Sequence, residues 1–342
     1  MRFTACPHSL RRRLSRDTIA GETEKMRIMR VEYLQAFKGT IQPLGPAVLT
    51  IGFFDGVHLG HQRLIARAAE LAHARGAQAV AVTFWPSPLS VVRPDTTVQL
   101  LSTLDEKLAL FASLGQLDAA LVVPFDTETA SLSPEAFLDL LASVCQPIAL
   151  VEGTDFALGH KRLGTVEYLR GLGEARGFSV ESYEVRDGDE RVSSTRIRGL
   201  LRAGTLTDAT RLLGRAYTLI GEVVTGDQRG RLIGFPTANL RLPAVKTLPA
   251  NGVYAVRVRL PGETKAGHAG VCNIGVRPTF GGEPRLMVEV HVLDGSMDLY
   301  GLPLAVEFVA RLRDEQRFNG IEALKAQISA DVEQARSLLA IG

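Results

Sequence analysis

Two histidines and three glycines stand where an apolar run gives way to a helical pattern. The segment LTIGFFDGVHLGHQRLI, residues 49–65, places His58 and His61 three positions apart. If a helix begins near Leu59, both imidazoles project from the same side of its first turn and face one ligand. Glycines permit the backbone to approach a ligand closely, and free N–H groups at the start of a helix favour the binding of phosphate. The candidate nucleotide-binding residues of this segment are Gly52, Asp55, Gly56 and Gly60.

This arrangement suits the negative charge that develops on a triphosphate during group transfer, without a covalent intermediate. The plainer interpretation is that the two histidines simply cap a helix. The pairing of histidines with several glycines weakens that interpretation. Zinc binding would need a third ligand, and none stands nearby in the sequence.

A second glycine-containing segment, GDQRGRLIGFPTANL, covers residues 226–240. Its glycines allow a loop to wrap phosphates. If the segment is extended, Thr237 and Asn239 point to the same side, and their oxygens suit Mg²⁺ and phosphate. A turn followed by an edge strand explains the spacing equally well. The candidate phosphate-binding glycines are Gly226, Gly230 and Gly234.

Glu289 lies in a strongly apolar strand-like run, where it alternates with His291. A carboxylate in that position could act as a general base toward a hydroxyl group. On an isolated strand, an outward-facing and solvated glutamate is the commoner case.

The elements that must position these residues differ between the two halves of the chain. From about 47 to 200, apolar runs such as AVLTIGFF and AVAVTF alternate with helical patterns, which predicts a parallel sheet covered by helices. The first helix carries a stripe of apolar residues and ends near Gly76. That stripe consists of Leu64, Ile65, Ala68, Leu71 and Ala72.

After about residue 215, Val- and Gly-rich runs such as GVYAVRVRL predict a small antiparallel barrel or sandwich. The last segment predicts a helix packed against it. The expected packing face consists of Ile321, Leu324, Ile328 and Val332. We predict a disordered or mis-started tail at 1–26, domains at 27–200 and 216–342, and a junction at 201–215.

Composition narrows the function classes. With 342 residues, 22% of them charged, the chain is long enough for two cores and ordinary for a soluble globular protein. Residues 1–26 carry a local charge of +3, which leaves the remainder at −1 and excludes a basic nucleic-acid binder. No apolar run is long enough to span a membrane and no secretory signal is evident, so a cytoplasmic location is expected.

The motifs carry a family resemblance. GFFDGVHLGH is similar to the HxGH motif of nucleotidyltransferases, and GTDFALGHKRLG and RVSSTRIR follow in the order seen in the adenylyltransferase half of bacterial bifunctional riboflavin kinase/FMN adenylyltransferase. GFPTAN, NIGVRPTF, VEVHVLD and DLYG resemble the kinase half of the same family. The resemblance implies a Rossmann-like nucleotidyltransferase domain, followed by a β-barrel kinase domain with a C-terminal helix.

By the same resemblance, the first half transfers AMP from ATP to FMN, with His58 and His61 stabilising the α-phosphate. Thr195 is expected to cap a helix that receives phosphate. The other implied nucleotide-binding residues are Asp155, Phe156, Arg191, Ser194 and Arg198.

The second half is expected to phosphorylate riboflavin with MgATP. Thr237 and Asn239 would hold the metal, and Glu289 would accept the proton from the riboflavin 5′-hydroxyl. The expected flavin-side residues are Asn273, Arg277 and Thr279. ATP, riboflavin and FMN are then substrates, and Mg²⁺ is the cofactor.

The sequence also allows two other functions. A flavin-binding regulator that has lost one or both activities would keep the fold, although the intact polar residues argue against it. A tRNA-charging enzyme also uses an HxGH motif, but the chain lacks a basic RNA surface and a lysine-rich KMSKS-like loop.

Overall fold

The computed structural model describes residues 29–34, 43–226, 229–263, 267–279, 282–293 and 297–340. The tail predicted at 1–26 lies outside these residues. Among the described residues, no helix has both the length and the apolar character that crossing a bilayer requires.

The first half is a six-stranded parallel sheet with helices, as the alternating pattern predicts. The strand order is β1-β4-β3-β2-β5-β8. In chain order the elements are β1 (Arg30–Tyr33), β2 (Pro46–Ile51), α1 (Leu59–Ala74), β3 (Gln78–Trp85), α2 (Pro88–Val92), α3 (Leu104–Leu114), β4 (Ala119–Pro124), α4 (Thr127–Ser131), α5 (Pro134–Ala142), β5 (Gln146–Gly153), β6 (Ala157–Leu158), β7 (Gly164–Thr165), α6 (Val166–Arg176), β8 (Ser179–Tyr183), β9 (Arg186–Asp187), β10 (Glu190–Arg191), α7 (Ser194–Arg202) and α8 (Leu206–Leu213).

The strand order reverses between β2 and β5, which makes their carboxyl ends the expected ligand crevice of the sheet. Backbone pairing of these two strands runs as far as Leu49 and Leu150. Beyond that point the Ile51 N–H donates to the buried carboxyl of Glu152 at 2.8 Å. Burial raises the pKa of Glu152 well above its usual range. The two strands therefore separate just before the segments that carry the candidate residues.

Helix α1 follows the predicted pattern. It begins at Leu59 and buries Ile65, Ala68, Leu71 and Ala72, four members of the expected stripe. Gly76 follows the helix with φ +62°, a left-handed conformation that favours glycine. Packing of the stripe on the sheet fixes the direction in which the first turn of α1 points.

The second half is a closed barrel of six antiparallel strands in the order β11-β12-β15-β14-β13-β16. Strand β11 alternates inward and outward along its length, with Tyr217, Leu219 and Val223 buried. The elements are β11 (Tyr217–Val224), α9 (Arg229–Leu232), β12 (Ala238–Arg241), β13 (Gly252–Arg259), β14 (His268–Thr279), β15 (Gly282–Val292), β16 (Pro303–Arg313) and α10 (Ile321–Leu339).

The barrel core continues into the helices that precede it. Ile197 and Leu201 of α7 and Leu212 of α8 belong to the same buried cluster as Tyr254 inside the barrel. Leu101, which precedes α3, joins that cluster. Apolar packing thus connects the two halves without a break.

The predicted packing face of α10 is confirmed at Ile328 and Val332 and wrong at Ile321. Ile321 is 56% exposed, whereas Val332, Ala335 and Leu339 are the apolar residues that α10 buries. The same cluster includes Val253 of the barrel. The buried apolar stripe continues toward the C-terminus of the helix.

A buried ion pair anchors α10. The guanidinium of Arg313 at the end of β16 donates to both oxygens of Asp331, at 2.7 and 2.9 Å for the two shorter contacts. Asp331 is 3% exposed and also accepts from the Gln327 amide at 2.9 Å. The interaction fixes the middle of α10 against the barrel.

Asp331→Asn should lower the free energy of unfolding by about 3 kcal/mol, because it leaves the Arg313 cation buried without its carboxylate. Chemical denaturation measures the change. Glu333→Gln on the same helix is the matched control, since its pair with Arg336 is exposed and should contribute less than about 1 kcal/mol. Equal losses in the two variants would contradict the anchoring role.

Candidate active sites

The crevice between β2 and β5 contains a cavity of about 250 Å³. The first turn of α1, the end of β5, the end of β8 and the start of α7 form its walls. Its lining residues are His58, Gly60, His61, Leu64, Gly153, Asp155, Tyr183, Val185, Arg191, Val192, Ser193, Ser194 and Thr195. Segments separated by more than a hundred residues in the sequence therefore meet at one site.

The two histidines stack on each other at this cavity. Their ring centroids are 3.6 Å apart with an interplanar angle of 19°, and the Phe54 ring contacts His61 edge-on at 5.1 Å. Each Nδ1 atom is buried, with no hydrogen-bond partner among the described residues. Gly60 makes room for the stack, because a Cβ there would lie 3.0 Å from the His58 ring.

Both imidazoles are neutral near pH 7. Burial, followed by the charge of Arg191, lowers the pKa of His58 to about 4. Burial and the adjacent His58 lower the pKa of His61 well below its usual value. A neutral imidazole can still donate one N–H to a phosphate oxygen, so the pair can serve as hydrogen-bond donors aimed at an anion.

The loop between β2 and α1 is strained. Phe54 and Val57 have φ of +53° and +41°, unusual for a residue with a side chain and most of all for a β-branched one. Gly56 has φ +77°, and a Cβ there would lie 2.7 Å from Leu101. Such conformations persist only where the surroundings enforce them.

Asp55 braces this loop. One carboxylate oxygen accepts from the N–H groups of Leu101 and Ser102, at 2.8 and 3.1 Å. The other accepts from Arg198 at 2.6 Å. Burial raises the pKa of Asp55, while these N–H groups and Arg198 oppose the rise. Its oxygens are thus directed at the protein.

Several predicted nucleotide-binding residues do not line the cavity. Asp55 and Arg198 pair with each other, and Phe156 packs against the apolar core of the sheet. Gly52 and Gly56 belong to the strained loop. These residues shape the site from behind the cavity wall, and nucleotide contact by them stays a prediction.

The predicted helix cap at Thr195 is wrong by two residues. Ser193 caps α7, because its side chain accepts from the Arg196 N–H at 3.3 Å. Ser194 donates to the Asp55 carbonyl at 2.9 Å. Thr195 lines the cavity and accepts from Arg198 at 3.0 Å. Three adjacent hydroxyl residues made the position of the cap ambiguous in the sequence.

Arg191 and Asp155 form an ion pair at the rim of the cavity. The hydrogen bond from Arg191 lowers the pKa of Asp155. Both residues are partly exposed, so their charges remain accessible from solvent.

Lys107, Tyr183 and Ser193 were missed by sequence reasoning. Tyr183 and Ser193 line the cavity. Lys107 is fully buried beneath the Phe53 ring, 4.0 Å from its centroid, and donates to Thr83 Oγ1 at 3.1 Å. Burial lowers its pKa to about 7. The signal that could have revealed it is a lysine within the apolar helical pattern LDEKLALF.

A second cavity, of about 820 Å³, lies between one face of the barrel and the start of α10. It brings together four of the predicted site residues, Thr237, Asn239, Asn273 and Glu289. Its other polar lining residues are His291, Arg313, Glu315, Gln316 and Asp331. Its apolar side includes Phe235, Val276, Met287, Phe318, Ile321, Leu324 and Ile328. The exposed first turns of α10 are therefore a wall of this cavity.

The strand register explains how Glu289 meets its neighbours. Glu289 on β15 is directly opposite Asn239 of β12 on one side and Asn273 of β14 on the other. Glu289 is half-buried. The solvated outward position that an isolated strand would favour does not occur.

Two glycines leave space for the predicted metal-binding residues. A Cβ at Gly226 would lie 2.1 Å from Asn239 Nδ2, and one at Gly230 would lie 3.3 Å from Thr237 Oγ1. Asn239 Oδ1 is buried without a hydrogen-bond partner among the described residues. Gly234 adopts φ +93°, where a side chain would be strained.

His291 fixes the turn that leads into this segment. Its Nδ1 donates to the Pro236 carbonyl at 2.7 Å, and its ring contacts Phe235 edge-on at 5.6 Å. Of the predicted flavin-side residues, Asn273 lines the cavity. The side chains of Arg277 and Thr279 lie outside the described part of the chain, although their backbones belong to β14.

His58→Gln should make the protein less sensitive to acid. Because the pKa of His58 is about 4 in the folded protein and 6.5 as its reference value, its neutral form supports folding fully above pH 6.5. That contribution is lost as the pH falls toward 4, by about 2.5 kcal/mol between pH 7 and 4.5. Denaturation curves at both pH values measure it. His73→Gln, an exposed position on α1, should keep the original pH slope; identical slopes in all three proteins would contradict the burial of His58.

Two family models match successive parts of the chain. The model described as FAD synthetase matches residues 41–196, and the model described as riboflavin kinase matches residues 213–339. The first range contains the histidine cavity, and the second contains the barrel and its cavity.

Curated relatives match over nearly their full length. A protein named bifunctional riboflavin kinase/FMN adenylyltransferase from Listeria monocytogenes is 39% identical over 86% of this chain and 92% of its own. Proteins of the same name from Pseudomonas fluorescens and Escherichia coli are 41% and 40% identical, over 86% and 87% of this chain and 93% and 95% of theirs.

A solved structure titled macrolide-efflux protein, from Streptococcus pneumoniae, has a TM-score of 0.80 and 29% identity. The match covers 90% of this chain and 99% of that one, so the similarity extends over both halves. The two family models and the curated relatives show that the chain belongs to the bifunctional riboflavin kinase/FMN adenylyltransferase family.

Proposed function

We propose that the two reactions of this family are divided between the two cavities. The barrel cavity transfers the γ-phosphoryl group of ATP to riboflavin and releases FMN. The histidine cavity transfers AMP from a second ATP to FMN and releases FAD and pyrophosphate. The observation that carries the proposal is that each cavity gathers a different set of polar groups suited to phosphate, at sites that share no residue.

In the histidine cavity, a phosphate oxygen of FMN attacks the α-phosphorus of ATP. The new P–O bond forms as the bond to the pyrophosphate oxygen breaks. His58 and His61, being neutral, donate N–H groups to α-phosphate oxygens as charge accumulates there. Arg191 and the N–H groups at the start of α7 supply the remaining positive potential.

Ser194, Thr195 and Asp155 complete this assignment at the cavity wall. We assign Ser194 and Thr195 to binding of the phosphates. Asp155 and its partner Arg191 form the rim of the cavity past which the nucleotide enters. Gly60 keeps the backbone close to the ligand by leaving the histidine stack undisturbed.

In the barrel cavity, Glu289 accepts the proton of the riboflavin 5′-hydroxyl as that oxygen attacks the γ-phosphorus. The amides of Asn239 and Asn273 flank the carboxylate and hold its position. The apolar wall that includes Phe235 and Ile321 provides a surface for the flavin ring. Placement and charge neutralisation account for most of the rate in such transfers.

The residues present fit Mg²⁺. Asn239 Oδ1 is a buried oxygen donor without a partner among the described residues, and Thr237 lines the same cavity. Within the described chain, no group of three or more His, Cys, Asp or Glu could hold a metal ion. Mg²⁺ commonly takes few protein ligands and completes its shell with phosphate and water, and when bound it neutralises charge on the ATP phosphates. We assign Thr237 and Asn239 to it.

We further propose that the adenylyltransferase domain spans 27–200 and the kinase domain spans 216–342, with 201–215 as the junction. A cytoplasmic location stays a prediction.

His61→Ala should abolish FAD formation while FMN still accumulates, because only the histidine cavity loses a donor to the α-phosphate. We expect a loss of at least about a hundredfold in kcat for adenylyl transfer. Purified protein, riboflavin, ATP and Mg²⁺ are incubated, and riboflavin, FMN and FAD are separated over time. His73→Ala on the same helix should behave like the unsubstituted protein; normal FAD formation by His61→Ala would reject the assignment.

Glu289→Gln should reduce the kcat of riboflavin phosphorylation by about a hundredfold or more, since the amide cannot accept the hydroxyl proton. FAD should still form from supplied FMN. The two reactions are assayed separately on the same preparation, with Glu307→Gln, on β16 of the barrel, as the control. Undiminished kinase turnover would show that Glu289 is not the base.

A further inference from the structure

A lysine of the kinase half enters the adenylyltransferase half. Lys246, which follows β12, is 4% exposed and donates to the Leu101 carbonyl at 2.8 Å. It also forms an ion pair with Glu106 at the start of α3. On either side, the Leu100 N–H donates to Val245 at 2.6 Å, and the Thr247 N–H donates to Leu100 at 2.8 Å. The lysine is therefore held in a short parallel bridge between the two halves.

The segment that Lys246 holds is the same one that braces the histidine loop. The N–H groups of Leu101 and Ser102 bind the Asp55 carboxylate. The Gly56 N–H donates to Ser102 Oγ at 2.9 Å. Leu101 also packs so tightly on Gly56 that a Cβ there would collide with it. Leu101 carries both contacts, because its carbonyl accepts from Lys246 and its N–H donates to Asp55.

The loop ends at the catalytic stack. Val57, with its strained φ of +41°, immediately precedes His58. Release of the brace would let Phe54 and Val57 relax, since such backbone conformations depend on external restraint. The stacked rings would then lose the position from which both donors reach one phosphate.

A second contact acts on the same loop from the junction. Arg215 donates to the carbonyls of Gly56 at 2.6 Å and Val57 at 3.2 Å. The Gln62 amide donates to Val57 and Leu213, both at 2.9 Å. Gly56 and Val57 are thus restrained by Arg215 from the junction in addition to the contact from Ser102.

We propose that Lys246 is a positioning residue for adenylyl transfer, through which the kinase half holds Leu101 and Ser102 against the loop that carries His58. The proposal rests on the assignment of adenylyl transfer to the histidine cavity. Lys246 lines neither the histidine cavity nor the barrel cavity. It therefore acts on the reaction of the opposite half and not on phosphorylation of riboflavin.

The test measures both reactions in Lys246→Met and in the double variant Lys246→Met/Glu106→Gln, which leaves no buried carboxylate without its partner. We expect kcat for FAD formation from supplied FMN to fall at least about tenfold, because small displacements of reacting groups are costly. The KM values for FMN and ATP and the kcat for riboflavin phosphorylation should stay within about twofold. Lys246→Arg should restore part of the loss, since it keeps the charge and donors.

Arg259→Met is the matched control, because Arg259 is a barrel cation whose ion pair with Glu307 is away from the loop. It should leave both reactions unchanged. Ser102→Ala, which removes only the acceptor for the Gly56 N–H, should reproduce the selective loss in milder form without removing a charge.

Three outcomes would overturn the proposal in favour of a purely structural contact. The first is an equal loss of both reactions, and the second is unchanged FAD formation in the double variant. The third is unfolding of the Lys246 variants while Ser102→Ala forms FAD at the normal rate. Failure of the underlying assignment is distinguishable, because His61→Ala would then form FAD normally. If His61→Ala is inactive and the Lys246 variants are not impaired, only the positioning role is lost.

Discussion

The carboxylate of Asp55 connects three distant parts of the chain at a point with almost no solvent. It receives two backbone N–H groups from the segment before α3 and the guanidinium of Arg198 from α7, while its own backbone lies in the loop between β2 and α1. A buried carboxylate is costly unless such partners surround it. Once they do, the same contacts determine the path of the loop, the start of α1 and hence the placement of His58.

In the barrel, the strand register positions the polar residues of the cavity. Glu289 has Asn239 and Asn273 on its two sides because β15 lies between β12 and β14, and a shift of one residue would turn every side chain to the opposite face. The site is completed by parts outside the barrel wall. The start of α10 provides an apolar side, and the Arg313–Asp331 pair holds the helix where it does so.

Sequence reasoning recovered the features that depend on local pattern. The alternation of apolar runs with helical segments predicted the parallel sheet, and the spacing of Ile65, Ala68 and Ala72 predicted both α1 and its buried face. Some polar residues of the two cavities, among them His58 and Glu289, stood out because they follow glycines or interrupt an apolar strand. These signals are short-range, since each arises within about one turn or one strand.

The parts that were missed depend on contacts between distant segments. No local pattern reveals that the Asp55 carboxylate accepts from Leu101, 46 residues away, and from Arg198. The Lys246 contact spans 145 residues and has no periodicity to reveal it. The α10 stripe was placed too early because Ile321 and Val332 fit one helical face equally well, and only the barrel determines which end is covered.

The positive φ values of Phe54 and Val57 show that the loop is held in one conformation, which affects the entropy cost of ligand binding. A flexible loop would have to lose conformational entropy each time a nucleotide arrived, and the affinity would be reduced by that amount. Here the ordering takes place when the chain folds, at the expense of global stability. Under the proposed assignment, an incoming triphosphate therefore meets a preorganised imidazole pair, and its interaction energy remains available for the reacting phosphorus.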